Sequence, residues 1–551
     1  MPASVRRMAL LIALSPASAF AWGDGHEVHL LQVMDLLPPA ILAFLVSGKS
    51  REAILHESHY PDDFTKFTPA EVGEEAMALL AKHKLPHRYS LHSETGKAVN
   101  LLLLARAFAQ KDPLRAGTWF AALSHTLADE AACNHDPLLE PIKFAYLPYG
   151  LPMKDGCPLD LADLVKSPDG KNAWETALRD LPPTGVPASL EAAILAVYAQ
   201  PMEANRFLTR RGGAIARSYN QGASPEDLRS AQAALAECGA EGVRTALLFT
   251  RAAWEYSGDA PGMELNEALL HRAEEGAARV VRERPLADDA IYAGALEGYP
   301  GEAPVAVLVE PSVAMDRGAF GFNAKTILSA ILREWASAKI PSRVLDLRDG
   351  ESLARLAPAN ARLLVVCAAN QGVPEPVKKA AARFYQAGGK ILWIGGKDGG
   401  QLGALSKALK PGSTALIPIS QKYGDLNEKT VGSLRLVFAA DWAASIPGSP
   451  FRLAHNPNTR AGWHVPRCAL TVDLDAGDLI PLAFTENGGE RACIAAAGKD
   501  ETGRVRSLFL PIYLLAPFAW TTGESMADFS RPRLDSMGAS VLAAALKTLT
   551  N

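Results

Sequence analysis

Histidine is spread unevenly along this chain: eight of the twelve fall by residue 125 and ten by residue 271. The densest pattern is Ser124-His-Thr-Leu-Ala-Asp-Glu-Ala-Ala-Cys-Asn-His135. His125 and Asp129 stand four residues apart, which puts an imidazole and a carboxylate on one helix face, a turn from each other. His135 follows ten residues after His125, where a helix would end before Pro137. Imidazole nitrogens and a carboxylate converging on one point are what Zn²⁺ binds, at about 2.0–2.2 Å. A single i,i+4 pair also arises on any solvated helix face. Here it has company upstream, in His56-Glu-Ser-His59-Tyr-Pro-Asp62-Asp63 and His87-Arg-Tyr-Ser-Leu-His92.

The first residues add a ligand of another kind. Arg6 and Arg7 form a short basic region, Met8 to Leu14 an apolar run, and Ala19-Phe20-Ala21 an A-x-A cleavage site. That layout is a secretory signal peptide over residues 1–21, with an apolar run too short to span a bilayer. Cleavage after Ala21 makes Trp22 the new N-terminus, whose amine and carbonyl can chelate one metal ion in a five-membered ring. His26 follows four residues later, within reach of the same end if a helical turn forms there.

Set in chain order, these elements are Trp-Gly-x-Gly-His at a processed N-terminus, an Asp 36 residues on, a His, and then His-x3-Asp-x5-His. The arrangement resembles the superfamily of zinc-dependent phospholipase C and the single-strand-specific, fungal-type zinc nucleases. The motifs cover residues 22 to about 140, and the helical region carrying them extends to about 290. The resemblance implies up to three zinc ions. Trp22 and His26 would hold the first, with Asp129 bridging to a second whose other ligands are Asp62, His87 and His125. His135 would start the third. Asp63 is the alternative to Asp62, and His92 the alternative to His87; Tyr89, an aromatic within two residues, favours His87. His56, His59 and His83 read as solvated or outer groups, because a zinc site closes with few ligands. The family's further His-x3-Asp/Glu does not follow His135 closely. His271-Arg-Ala-Glu-Glu275 has that form, in its phospholipase-like variant, 136 residues downstream. His271 and Glu275 are therefore the candidates to complete the third site, with a helix-surface ion pair as the alternative.

Two kinds of element must position these groups. From residue 28 to about 290, apolar residues recur at three- and four-residue spacing, predicting helices over 30–45, 98–109, 118–131, 189–199, 228–253 and 264–281. A Pro/Gly-rich joint at 297–304 ends this region. Beyond it, β-branched runs at 305–310, 344–347, 363–368, 391–395 and 508–512 alternate with helical stretches at 323–338 and 377–386. Such alternation predicts a parallel sheet with helices on both faces. Residues 421–500 are less regular, with room for extra strands. The second half resembles the class I glutamine amidotransferase-like, flavodoxin-type fold. Catalytic members carry a nucleophilic Cys in the turn after the strand matched by 391–395, where this chain reads Gly395-Gly-Lys-Asp-Gly-Gly400. Cys367 sits one strand earlier, and His455 and His464 are isolated.

The expected chain is thus multi-domain. A signal peptide (1–21) precedes an all-α zinc phospholipase C/nuclease-like domain (22–295) and an α/β, flavodoxin-like (amidotransferase-like) accessory domain (303–551). With 551 residues it is too long for one core. The 48% hydrophobic and 21% charged residues exclude a mainly disordered chain. Losing Arg6 and Arg7 with the leader leaves 54 basic against 60 acidic residues, so no basic excess points to a stable nucleic-acid complex. Export places the six Cys where disulfides are permitted, Cys133 and Cys157 being the closest pair. No later stretch is long and apolar enough for a transmembrane segment.

The expected function is an exported, periplasmic or secreted zinc-dependent phosphodiester hydrolase of phospholipase C type. A metal-activated hydroxide attacks phosphorus, and Asp62 or Asp63, whichever does not bind metal, takes the proton. The alternatives are a single-strand-type nuclease, or a non-catalytic envelope binding protein with a degraded metal site. Oligomeric state is not legible.

Overall fold

The computed structural model describes residues 25–59, 61, 70–83, 92–131, 161–182, 185–218, 222–283, 305–309, 324–346, 354–368, 375–395, 419–421, 435–452, 470–472, 474, 479–487, 490–500, 502–515, 531 and 533–550. These fall into two compact units. Residues of 25–131, 161–204 and 232–279 form the first, and those of 205–231 and 280–550 the second. The stretch 205–231 and the residues from 280 onward group with the second unit.

The first unit is helical. Its elements are α1 (Gly25–Leu36), α2 (Pro39–Gly48), α3 (Arg51–Glu57), α4 (Ala70–Lys82), α5 (Glu94–Ala109), α6 (Pro113–Ala131), α7 (Leu161–Leu164) and α8 (Pro168–Arg179). The long α9 (Leu190–Ser218) and α10 (Pro225–Glu255) follow, then α11 (Glu267–Arg282), of which residues up to 204, from 232 and up to 279 belong to this unit. The apolar stretch 30–45, expected as one helix, is two, because Pro38-Pro39 ends the first and Pro39 opens the second.

The centre of the unit is the α5/α6 hairpin. Ser93 caps α5, its hydroxyl accepting from the Gly96 amide at 3.0 Å, and Glu94 stands in the first turn. Asp112 does the same for α6, accepting from the Arg115 amide at 3.1 Å. Lys111, in the left-handed region at φ 54°, lets the chain reverse between them. Every residue of α6 from Ala116 to Ala131 is buried, as is most of α5. A helix covered all round lies inside its unit, and polar side chains on it need partners there.

The second unit holds β1 (Val305–Val309), α12 (Ala324–Ser337), β2 (Ser342–Asp346), β3 (Leu363–Ala368), α13 (Glu375–Gln386) and β4 (Lys390–Gly395). It continues with β5 (Ile419–Gln421), β6 (Arg435–Phe438), α14 (Ala440–Ala443), β7 (Phe451–Arg452), β8 (Leu470–Val472), β9 (Leu479–Asn487), β10 (Glu490–Lys499), β11 (Val505–Pro511) and α15 (Ser536–Thr550). Nine strands form one sheet in the order β2-β1-β3-β4-β11-β10-β9-β6-β7, and β5 pairs β8 separately. The first five run parallel, in registers such as Leu364↔Ile391 and Leu508↔Leu392. The rest are antiparallel, so the sheet is mixed where a parallel one was expected. The reason is local: Asn487 pairs Glu490 across only two residues, a span that permits antiparallel pairing alone. Leu364, Val366, Ile391, Trp393 and Phe509 join Ala381 and Phe384 of α13 in one core cluster. Val365, Leu392, Ile394, Leu508 and Leu510 are buried too, giving the continuous apolar runs of strands covered on both faces.

Candidate metal centre

Three elements bring four titratable side chains together. His26 comes from the first turn of α1, His92 from the residue before the α5 cap, and His125 and Asp129 from one face of α6. His26 Nε2 lies 3.3 Å from Asp129 Oδ1. The other carboxylate oxygen, Oδ2, lies 3.3 Å from His125 Nε2 and 3.4 Å from His92 Nε2. The two imidazole nitrogens of His92 and His125 are themselves 3.2 Å apart. The His26 and His125 rings stack with centroids 3.9 Å apart, and His92 meets His125 edge-on. His26, His125 and Asp129 are all buried, and this buried group could hold a metal ion.

Around it lies a layer that the spacing did not reveal. His29, one turn along α1, is wholly buried; burial pulls its imidazole down to about 3, against the opposing effect of a hydrogen bond to the Gly242 backbone. It is therefore uncharged at neutral pH. Gly242 of α10 packs closely on this layer: a Cβ there would lie 3.0 Å from His29 Nε2 and 3.1 Å from Ala131 Cβ. Lys97 of α5 and Glu130 of α6 form an ion pair, both side chains essentially without exposure. At the other end of α6, Lys49 donates to Glu57 and to the Thr118 hydroxyl.

Of the residues expected to bind metal, the structure joins His26, His125 and Asp129 in the buried group, and it sets His92 against them. Trp22, Asp62, Asp63, His87 and His135 lie outside the described residues, as do Cys133, Cys157, His455, His464 and the 396–400 loop. His271 and Glu275 are not brought to the group. Both are exposed on α11 and pair with each other, His271 Nε2 to Glu275 Oε1 at 3.4 Å, which is the helix-surface alternative. His56 is exposed, and His59 faces Glu27 at 3.5 Å. His29 had one signal in the sequence, its i,i+3 spacing from His26. Lys97 had another, a charge at the edge of the stretch 98–105, apolar except for Asn100.

No helix among the described residues is long and apolar enough to cross a membrane. No protein-family model, curated protein or solved structure matches the chain.

Proposed function

We propose that the helical unit is a zinc-dependent phosphodiester hydrolase and that the chain is exported with Trp22 as its mature N-terminus. The observation that carries this reading is the convergence of His26, His92 and His125 on the two oxygens of Asp129. A tetrahedron of ligands at zinc–nitrogen and zinc–oxygen distances has edges of about 3.3–3.4 Å. The separations among His92 Nε2, His125 Nε2 and Asp129 Oδ2, at 3.2, 3.3 and 3.4 Å, have that size, as does the 3.3 Å from His26 Nε2 to Oδ1. One Asp129 oxygen faces His26 and the other faces His92 and His125, so this carboxylate would be the central ligand if metal were bound. The donor set of nitrogen and oxygen suits zinc over magnesium or calcium.

When bound, zinc supplies Lewis-acid polarisation of a phosphoryl oxygen and acidifies water towards neutrality. The chain's own residues do the rest. Burial of His26, His125 and Asp129 keeps bulk solvent from competing for their lone pairs. The α6 backbone fixes His125 and Asp129 a turn apart, so the ligands are oriented before any ion arrives. Asp62 or Asp63 is the proposed proton acceptor. His271 and Glu275 stand apart as an exposed pair. That weakens one of the two sequence grounds for preferring a phospholipid, the other being the lack of a basic excess, and the proposal extends to phosphodiesters as a class. For the second unit, the parallel order β2-β1-β3-β4-β11 supports the flavodoxin-type, amidotransferase-like reading.

The test is elemental analysis of the mature protein purified without chelator, together with hydrolysis of bis(4-nitrophenyl) phosphate. We expect bound zinc and turnover, both lost in His125→Ala. A wild-type protein that retains no zinc, even after incubation with it, overturns the reading.

A further inference from the structure

We propose that Lys97 and Glu130 are a positioning pair which sets the register of α5 against α6 and so delivers His92 to the metal group. This rests on the metal reading above. His92 and Lys97 both belong to the start of α5, on either side of the Ser93 cap, and Asp129 and Glu130 are consecutive at the end of α6. The same two helix ends thus meet twice, once through Lys97–Glu130 and once through His92, which lies 3.4 Å from Asp129 Oδ2 and 3.2 Å from His125 Nε2.

Stability does not call for this pair. Lys97 has no exposure and Glu130 almost none. Taking both charges out of water costs what their attraction returns, and well-packed apolar side chains often serve a fold equally well. What a buried charged pair supplies is uniqueness. Both helices are Leu- and Ala-rich and buried here, with Leu101, Leu102, Leu104 and Ala105 on α5 and Ala121, Ala122 and Leu123 on α6. Such surfaces accept neighbouring registers at similar cost, whereas a buried polar contact fixes one at the expense of stability. A slip of one turn moves a side chain by about 5.4 Å. That would carry His92 away from Asp129 altogether.

Asp129 and Glu130 also point about 100° apart on the helix. Lys97 holds Glu130 towards α5, leaving Asp129 as the carboxylate that meets the histidines.

The experiment is a double-mutant cycle read as zinc affinity against a competing chromophoric chelator. The proteins are wild type, His92→Ala, Lys97→Met/Glu130→Leu, and the combination of all three. Removing both charges together avoids stranding one of them. Lys97→Met/Glu130→Leu should stay helical and lose about 10- to 100-fold in affinity, the range for outer groups that orient ligands. His92→Ala should lose a similar factor, and the combination should bind no more weakly than His92→Ala alone. Wild-type affinity in Lys97→Met/Glu130→Leu, or an equal loss with and without His92→Ala, overturns the positioning role while leaving the metal reading intact. Absence of zinc from the wild type overturns both. If Lys97→Met/Glu130→Leu does not fold, Glu130→Gln, whose amide oxygen still accepts from Lys97, replaces it in the same cycle. Its loss must again vanish in the His92→Ala background, and a loss that persists there overturns the positioning role.

Discussion

His29 illustrates what burial does to a single side chain. Its imidazole is held down to about 3 by loss of solvent, while an unfolded His titrates near 6.5. Between those values the unfolded chain binds the extra proton, so stability falls as the pH drops from about 6.5 towards 3. The slope contributed is at most about 1.4 kcal/mol per pH unit. His29→Gln keeps an amide N–H for the Gly242 backbone and removes the titration. In chelator-treated protein, urea midpoints of that variant should depend less steeply on pH across this window; identical slopes would contradict the assignment. Sequence spacing revealed His125 and Asp129 because four residues is one turn. It could not choose between His87 and His92, since five residues apart in an irregular stretch fixes no direction. Nor could it reveal Lys97–Glu130, because a charged residue in a helix reads as surface until its partner helix is known. Cys493 is a further case, buried in the second unit with its thiol pushed up to about 11. Iodoacetamide at pH 8 should leave it unmodified in the native protein and alkylate it in guanidinium, as peptide mass spectrometry would show.

Between elements, two glycines report opposite circumstances. Gly48 ends α2 where it crosses the start of α6. A Cβ there would lie 2.6 Å from the Leu114 amide nitrogen and 2.6 Å from the Pro113 carbonyl carbon. Both obstacles are backbone, so α2 and α6 would have to separate, and α6 carries His125 and Asp129. Gly48→Ala should cost about 1–3 kcal/mol, the usual range for overpacking, and weaken zinc binding with it. Gly276 lies within α11 with nothing inside 4 Å of its would-be Cβ. Gly276→Ala should stabilise by about 0.5–1 kcal/mol, since a mid-helix Gly loses entropy without packing in return. Denaturant midpoints of the two variants should move in opposite directions; a destabilised Gly276→Ala would mean that α11 is packed where it is described as open. The helices at 98–109, 118–131, 228–253 and 264–281 were legible from apolar periodicity; the stretch 30–45 is broken at Pro38-Pro39, 189–199 runs on to Ser218, and the helices Arg51–Glu57, Ala70–Lys82 and Pro168–Arg179 were not read. The parallel strands were legible as apolar runs between helices. The antiparallel strands were not: β10 reads Glu-Arg-Ala-Cys-Ile-Ala-Ala-Ala-Gly-Lys, and its alanines favour helix until pairing with β9 and β11 overrides them.

At the scale of the whole chain, a bound ion would concentrate stability in the elements that hold it. An ion that binds the folded state and not the unfolded one stabilises by RT ln(1 + [L]/Kd), about 4 kcal/mol at a thousandfold excess over Kd. That contribution belongs to the elements that converge on it. These are α1 through His26, the start of α5 through His92, and the end of α6 through His125 and Asp129. α10 joins them through Gly242, which packs on His29 and Ala131. The sheet of the second unit has its own core around Leu364, Ile391, Phe384 and Phe509. Amide hydrogen exchange on the full chain, with and without a strong chelator, separates the two. Protection should fall in α1, in the first two turns of α5, in the last two turns of α6 and near Gly242, because local opening there no longer has to expel an ion. It should be unchanged in β3, β4 and β11. Equal losses in those strands would place the stabilisation outside the helical unit, and no loss near His26 and Asp129 would mean that the buried group holds no ion in the folded protein.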